Sequence, residues 1–433
     1  MSSSSGGIIK KVVMRGSSCA FSTARVRPTH GLARKLPTDK ASSPSLFGGC
    51  LGLENARTCT PIGYACRLRL REPSMLERFQ VPEDIAVRVP QEDMRAAVES
   101  IFTTLGMPGA DAEAAADVLI YADIRGIDSH GVSNMMRPYV AGLKGGQINP
   151  TPTMKRARDA AAAVSIDCDQ GLGLAQGKAM MELACERAKA SGIGVVTAFN
   201  GRHYGPSAYF AHLALEHDMV GISMTAGGLQ VAPTQGAEPL LGLNPIGIAA
   251  PSKSEPPFIF DASMSSVAGN KIQLLRRVGG EVLPGWIAGA DGAPIMEESS
   301  VPDKFLMLPL GGTREIGSHK GFGLSMLVEI LCSVLTGTGG GPHRRQGTAH
   351  YFMAYDVATF TDVDTFKTDM DDYLRSILDC KPAPGETRVV YPGIPEHEAE
   401  QDRRANGIPY HPEVIEWFNG VMEELQIASP LPA

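Results

Sequence analysis

The stretches VGISMT (220–225), IGIAA (246–250) and FIFD (258–261) decide the predicted fold. Each is a short apolar run typical of a buried strand, and no helical pattern separates one from the next. Strands that follow one another directly favour antiparallel pairing, whereas strands that alternate with helices favour parallel pairing. Alternation is found earlier in the chain, with strands at 162–166 and 194–199 and helices at 175–191 and 206–216. The sequence therefore predicts an α/β domain built on a mixed sheet.

Helical patterns lie on both sides of this segment. The run at 321–335 is nearly all apolar, which predicts a buried helix. The other helical patterns are at 91–105, 110–124, 134–143, 366–378 and 412–425. We predict an α/β domain at 156–310 that is inserted in a helical domain formed by 87–155 and 311–433.

The N-terminal segment differs in charge from the rest of the chain. Residues 1–71 carry twelve Lys and Arg and two acids, a balance of +10, so the overall −7 leaves −17 for the remainder. A basic, Ser-rich, acid-poor start is typical of an organelle transit peptide, and 7–15 is compatible with a short amphipathic helix. We predict a targeting or disordered segment at 1–75 and a mitochondrial location, with a tail that carries no address as the alternative.

Composition argues against several classes of function. The acidic body does not favour nucleic-acid binding, and no long uncharged apolar run predicts a membrane span. The eight cysteines have no C-x-x-C spacing, which argues against a zinc cluster or a disulfide framework.

The stretch Asp128-Ser129-His130-Gly131 lies where one predicted helix ends and the next begins. A histidine between small residues can approach a small substrate and move a proton near neutral pH. Asp128 is a candidate to orient or charge-stabilise the imidazole. An ordinary helix-capping turn is the alternative interpretation.

A second polar stretch, Asn200-Gly-Arg202-His203-Tyr-Gly, follows the apolar strand at 194–199. Loops at the carboxyl ends of strands often bind ligands in α/β domains. Arg202 and His203 are candidates to hold a carboxylate, although a polar surface loop would have the same composition.

The stretch Gly171-x-Gly173-x-x-x-Gly177 is one residue away from the dinucleotide-binding fingerprint. A Rossmann domain would place an acidic residue at the end of the next strand, about twenty residues on. Residues 192–199 contain none, so we predict a fold that is not Rossmann.

Two further glycine-containing stretches suit a nucleotide. Asp261 to Ser265, together with the glycine-containing turn at Asn244, offers an aspartate and hydroxyls to a ribose. His319-Lys320-Gly321 precedes the apolar helix, and a lysine beside helix N–H groups suits a phosphate. Turn chemistry is the alternative for both.

Taken together, these stretches resemble the malate/L-lactate dehydrogenase family, which also holds ureidoglycolate, sulfolactate and diketogulonate-type oxidoreductases. The resemblance runs from about 90 to 420, and its motifs occur in this order: Asp-x-Arg-Gly-x-Asp-Ser129-His130-Gly, Asn200-x-x-His203-x-Gly, Gly-x-Asn244-Pro245, Asp261-x-Ser263, Lys320-Gly-x-Gly-Leu and Pro392-Gly393-x-x-Glu396.

The resemblance implies a non-Rossmann mixed-sheet domain inserted in a helical domain built from both chain ends, usually as a homodimer. It implies hydride transfer between NAD or NADP and a small 2-hydroxy acid, with no metal site. By position, His130 matches the proton donor or acceptor, supported by Ser129 and Asp128, and His203 matches a second histidine sometimes given that role. The positions that match cofactor contacts are 257–263 (which include Asp261 and Ser263), His319, Lys320, Gly393 and Glu396, with Asn244 as a further candidate.

Two departures from the family pattern concern the substrate. Many members have Arg four residues after the histidine of the Ser-His-Gly motif, where this chain has Asn134. If that Arg binds the substrate carboxylate, either Arg137 or Arg202 replaces it or the substrate differs. Leu243 stands where Thr is common. The alternatives are a catalytically altered member that binds a nucleotide or a partner and, less favoured, a metal-assisted hydrolase.

Overall fold

A computed structural model describes residues 80–432, apart from the side chains of 277 and 278. The predicted targeting segment at 1–75 lies outside the described residues. The α-helices are α1 (Gln91–Thr104), α2 (Gly109–Ile124), α3 (Val132–Lys144), α4 (Gly173–Ser191), α5 (Ser207–Leu213), α6 (Gly269–Val278), α7 (Ser318–Glu329), α8 (Val363–Leu378), α9 (Ile394–Asn406) and α10 (Pro412–Glu424). The strands are β1 (Val87–Val89), β2 (Lys155–Asp159), β3 (Ala163–Asp167), β4 (Ile193–Gly201), β5 (Met219–Ala226), β6 (Ile246–Ala250), β7 (Phe258–Ala262), β8 (Glu281–Val282), β9 (Ile287–Ala288), β10 (Ser299–Ser300), β11 (Leu306–Met307), β12 (Thr348–Asp356) and β13 (Ile408–Tyr410).

A seven-stranded sheet forms the centre of the α/β part, with strand order β2-β3-β4-β12-β5-β6-β7. Only the β3–β4 pair in this sheet is parallel, and α4 connects its two strands, whereas the other neighbours are antiparallel. The successive strands β5, β6 and β7 pair antiparallel as their direct succession predicted. The mixed, non-Rossmann sheet is therefore confirmed.

The position of strand β12 does not agree with the predicted domain division. It lies in the middle of the sheet, between β4 and β5, with Tyr351 opposite both Thr197 and Met224. The range 311–433 therefore does not belong wholly to the helical part, because one of its segments completes the sheet.

Both ends of the described chain build the helical part. Strand β1 pairs antiparallel with β13, with Val87 opposite Tyr410. Helix α1 packs on α2 and α10, and α2 packs on α9. Phe102, Met136 and Phe418 are fully buried in one continuous core that joins these helices to α4 and the sheet. Helices from both ends of the described chain therefore pack together, on a core that they share with α4 and the sheet.

The apolar helix predicted at 321–335 corresponds to α7 followed by a π-helical turn, Ile330–Val334. The prediction that it is buried is wrong. One side packs on the sheet through Val328 and Cys332. The following apolar side chains of this segment are 42% to 60% exposed: Leu324, Met326, Leu327, Ile330, Val334 and Leu335. This set, here called the α7 apolar face, is unusual for the surface of a monomer.

No helix within residues 80–432 is both long enough and apolar enough to cross a membrane.

Candidate active site

The loop that carries His130 is built around a buried carboxylate at the end of α2. Asp123 accepts hydrogen bonds from the Tyr410 hydroxyl at 2.8 Å and from the Val132 amide at 3.2 Å. A Cβ atom at Gly131 would lie 1.6 Å from Asp123 Oδ1, so only glycine fits at the start of α3. Burial, with a smaller contribution from Asp128, raises the pKa of Asp123 to about 7.

Asp128 has a different partner from the one that the sequence predicted. Its two carboxylate oxygens accept bonds from Arg403 on α9, at 2.6 and 3.2 Å, and Arg403 also donates to the carbonyl of Asp123. The bond to the imidazole comes instead from Ser129, whose Oγ lies 2.9 Å from His130 Nδ1. Asp128 therefore holds the backbone of the loop, whereas Ser129 orients the ring.

Helix α6 supports the same loop from the opposite side. The Asn270 side chain donates to the Ser129 carbonyl at 2.7 Å and lies 3.3 Å from Met135 Sδ. Asn134, a candidate substrate ligand, donates to the Asp128 carbonyl at 3.0 Å. Contacts from α3, α6 and α9 thus fix the position of His130.

The structure brings His203 to His130. Their rings stack 5.8 Å apart between centroids, with an interplanar angle of 14°. The Tyr139 hydroxyl lies 2.6 Å from His203 Nδ1, and the Gly205 amide donates to the same nitrogen at 3.3 Å. Gly205 has a left-handed φ of +83°, a backbone conformation that favours glycine. The two predicted histidines therefore share one site.

The His203 loop is held against the sheet by His350, which is fully buried on β12. Its Nε2 lies 3.1 Å from the Arg202 carbonyl, its Nδ1 lies 2.8 Å from Thr225 Oγ1, and its ring stacks on Tyr204 at 4.7 Å. The middle strand of the sheet thus positions the loop that carries His203.

Both imidazoles of the stacked pair favour the neutral form. Burial, together with the positive charge of Lys271, lowers the pKa of His130 to about 4. Burial also lowers the pKa of His203 to about 3, with smaller contributions from His130 and His350. Near pH 7 each ring therefore holds one proton and one lone pair, which is the state that a general base requires.

The two arginines predicted to bind a carboxylate contact other groups. Arg137 forms an ion pair with Glu413 at 2.9 Å, and its guanidinium lies 5.3 Å from the centre of the Trp417 ring. Arg202 donates to Gln170 Oε1 at 2.9 Å.

The predicted cofactor residues fall into two groups, and the first lies on β7 and around the loop of Gly393. Strand β7 carries Asp261 and is joined to the loop of Gly393 by a bond from the Ile259 amide to the Pro392 carbonyl, at 3.1 Å. Asp261 accepts a bond from the Ala208 amide at 2.7 Å, and Glu396 accepts one from the Gly393 amide at 3.2 Å. Asp261 as a residue is exposed to solvent. The protein around its carboxyl group nevertheless displaces water from it, and this desolvation, reinforced by the charge of Glu396, raises its pKa to about 7.

These carboxylates suit a dinucleotide. Carboxylate oxygens accept hydrogen bonds from hydroxyl groups, and a ribose offers such hydroxyls. The charge of Glu396 raises the pKa of both Asp261 and Lys271, so the three groups lie near one another. Ser263 follows Asp261 by two residues and is 3.0 Å from Ser265 Oγ.

The second group lies at α7. Asn244 is 1% exposed, and its side-chain amide donates to Ser325 at 3.0 Å (carbonyl) and 3.1 Å (Oγ), and to Glu329 at 3.2 Å. It therefore ties the Gly-x-Asn-Pro turn to α7. His319 and Lys320 are exposed on the first turn of α7, where Arg314 contacts His319 at 2.9 Å.

In the described part of the chain, no three His, Cys, Asp or Glu side chains converge in a way that would hold a metal ion.

The family model for malate/L-lactate dehydrogenase matches residues 89–419. The chain belongs to the malate/L-lactate dehydrogenase family. It is 37% identical to a malate dehydrogenase of Pyrococcus abyssi over 82% of this chain and 99% of that protein. It is 32% identical to an L-sulfolactate dehydrogenase of Methanocaldococcus jannaschii, over 72% of this chain and 90% of that protein. The crystal structure of malate dehydrogenase from Entamoeba histolytica matches 80% of this chain and all of its own, with a TM-score of 0.76 and 30% identity.

Malate/L-lactate dehydrogenase relatives support a 2-hydroxy acid dehydrogenase, and the site contains residues that the sequence did not point to. Tyr139, Asn270, Lys271, His350 and Arg403 all act on the two histidines or their loops. Lys271 follows the Asp261–Ser263 stretch closely, and that proximity to a motif was the one available signal. The others contact the site across long sequence separations.

Proposed function

We propose that the protein oxidises a small 2-hydroxy acid of the malate or lactate type to the 2-oxo acid with NAD or NADP, and catalyses the reverse reduction. The observation that carries the proposal is the stacked pair of neutral imidazoles, His130 and His203. An alcohol oxidation needs a base for the hydroxyl proton, and the pair provides two nitrogens for one oxygen.

The hydrogen bonds of His203 suggest which ring takes the proton. An amide N–H can only donate, so the bond from Gly205 requires a lone pair on His203 Nδ1. Tyr139 then donates its hydroxyl proton to the same lone pair, because burial raises the pKa of Tyr139 above its usual range. The neutral His203 ring consequently carries its proton on Nε2 and acts as a hydrogen-bond donor.

His130 has no such restriction, because its Nδ1 partner is the hydroxyl of Ser129, which can donate or accept. If Ser129 accepts from Nδ1–H, the lone pair is on His130 Nε2. In oxidation His130 takes the hydroxyl proton of the substrate, while His203 Nε2–H binds the same oxygen. In reduction protonated His130 returns the proton to the carbonyl oxygen.

When bound, the nicotinamide supplies the acceptor for the hydrogen on C2. Asp261 and Glu396 would hold ribose hydroxyls, Gly393 leaves the backbone of its loop close to β7, and Ser263 adds a hydroxyl beside Asp261. His319 and Lys320 would meet a phosphate at the first turn of α7. Fixing both reactants in this way removes much of the entropy cost of the reaction.

The test is a spectrophotometric screen of malate, lactate, sulfolactate and ureidoglycolate, with their oxo acids, against NAD and NADP. We expect turnover with at least one acid and a preference for one cofactor. The absence of turnover with every pair, in a protein that binds NADH, would contradict the proposal and favour a catalytically altered member that binds a nucleotide.

We further propose that the protein is a homodimer that packs through the α7 apolar face. Apolar side chains at spacings of three and four residues suit helix packing against a second copy, and a two-fold axis would pair the same face with itself. Sedimentation of the double variant Leu327→Asp, Ile330→Asp should give a monomer. The control Tyr373→Asp changes another exposed apolar side chain, on α8, and should leave the mass unchanged. A monomeric wild-type protein would contradict the proposal.

The basic segment at 1–71 supports a mitochondrial location. Fusion of residues 1–75 to a fluorescent protein tests it, with Lys10→Glu, Lys11→Glu as the control. Diffuse fluorescence from the unaltered fusion would contradict the assignment.

A further inference from the structure

The proposed chemistry restricts where the substrate carboxylate lies. When the C2 oxygen is held between His130 and His203, the carboxylate carbon is one bond from C2 and must be near the same rings. These rings are partly buried, and an anion that leaves bulk water for such a site needs an opposite charge or several hydrogen bonds. A cation beside His130 would meet this need, whereas Arg137 and Arg202 contact Glu413 and Gln170.

The first turn of α6 brings a cation to this place. Asn270 binds the carbonyl of Ser129 at 2.7 Å, which fixes the start of α6 against the His130 loop. The next residue, Lys271, is half-buried and is in the first helical turn, where its amide donates to the Ala268 carbonyl at 3.0 Å.

The electrostatics agree with this geometry. The positive charge of Lys271 helps to lower the pKa of His130, and the charge of Glu396 partly offsets the lowering of the pKa of Lys271 by burial. Lys271 therefore lies within electrostatic reach of both the acid/base and a proposed cofactor residue, where the two reactants must meet.

We propose that the ammonium group of Lys271 binds the C1 carboxylate of the substrate and thereby sets the preference for 2-hydroxy acids over neutral alcohols. This inference rests on the proposed function. It replaces the arginine expected near Asn134 with a lysine that comes from a different element.

Binding at Lys271 also links substrate entry to proton transfer. A carboxylate beside Lys271 offsets the positive charge that disfavours protonation of His130. The proton affinity of His130 consequently rises only when an acid is bound. In the reductive direction this would favour uptake of the proton in the presence of substrate.

The experiment compares the wild-type enzyme with Lys271→Met, which keeps the length of the side chain, and Lys271→Arg, which keeps its charge. Lys253→Met is the control, because Lys253 forms a surface ion pair with Asp364. Three quantities are measured: the dissociation constant of oxamate with and without NADH, the dissociation constant of NADH, and kcat/KM for the best acid and for its carboxamide.

We expect Lys271→Met to weaken oxamate binding and raise KM by about 30-fold or more, because it leaves a buried carboxylate without its counter-charge. NADH binding should change less than about twofold, and the preference for acid over carboxamide should collapse. Lys271→Arg should restore part of the preference, which a purely structural role would not explain.

Unchanged oxamate affinity in Lys271→Met would overturn the inference. Loss of NADH affinity with unchanged affinity for oxamate would assign Lys271 to the cofactor and overturn it as well. A wild-type enzyme that oxidises no acid refutes the proposed function, and oxamate binding then decides separately about Lys271. Circular dichroism of each variant identifies a folding defect, and in that case Lys271→Arg provides the comparison.

Discussion

The loop of His130 and the first turn of α7 differ in how they are held in place, although both carry residues predicted to act in one reaction. Bonds from Arg403 on α9, Tyr410 on β13 and Asn270 on α6 hold the first. The second presents His319 and Lys320 to solvent, and the contact to His319 comes from Arg314, five residues away. The proposed acid/base is thus preorganised by the fold, whereas the predicted phosphate end is open to an incoming ligand.

The largest expected effect comes from replacing the proposed proton acceptor, His130, in the preorganised loop. His130→Gln should lower kcat by about two to four orders of magnitude, because an amide cannot take a proton. His203→Gln should lower it by only about tenfold, because the amide can still donate where Nε2–H did. Single-turnover kinetics with a substrate deuterated at C2 would measure the rate loss in both variants.

Equal losses in the two glutamine variants would contradict the assignment of the proton to His130. A larger loss in His203→Gln would assign proton transfer to His203 and hydrogen-bond donation to His130.

The next effect removes one support of the His130 loop. Arg403→Met should lower the free energy of unfolding by about 3 kcal/mol, because it leaves the partly buried carboxylate of Asp128 without its partner. Urea unfolding measures this quantity. The matched control is Arg404→Met, which removes an exposed ion pair with Glu400 on the same helix and should cost less than about 1 kcal/mol. Similar losses in both variants would show that the loop does not depend on Arg403.

A smaller effect concerns the orientation of His203. Tyr139→Phe removes the hydroxyl that lies 2.6 Å from Nδ1 and should lower kcat about fivefold, because one hydrogen bond contributes about 1 kcal/mol. Nitrogen NMR should still show the proton of His203 on Nε2, since the Gly205 amide remains. A proton on Nδ1 in the wild-type protein would contradict this assignment.

The smallest effect is in the pH dependence. Oxidation needs neutral His130, and burial lowers its pKa from 6.5 to about 4. Activity is therefore present above this pKa and is lost as the pH falls through about 4, so kcat/KM for oxidation should change little between about pH 8 and about pH 6. A half-maximal value near pH 6.5 would show that the ring is not desolvated.

The sequence predicted the strands β5, β6 and β7 well, because short apolar runs bounded by turns need no distant information. It missed β12, although TAHYFMAYD is apolar, because its segment lies among helical patterns and the strand pairs only with remote partners. The apolar helix was identified, but the prediction that it is buried was wrong, because an apolar side chain gives the same sequence signal on the surface and in the core.

The candidate site shows the same division. The two histidines were found through their motifs and the family resemblance. Asp128 was found too, but its predicted partner was the adjacent ring, whereas its actual partner is Arg403, 275 positions away. Lys271 escaped attention because a single lysine on a helix is usually a solvated surface residue.

The place of β12 in the sheet also has a consequence for how the chain acquires its structure. Strands β4 and β5 have no common neighbour until a segment more than a hundred residues later has been synthesised, because Ala349 pairs with Ala226. During translation their inner edges stay without partners, which slows folding and exposes sites for aggregation. A nascent chain that ends before Thr348 is therefore expected to need chaperone protection, and the sheet closes only as the last third of the polypeptide emerges from the ribosome.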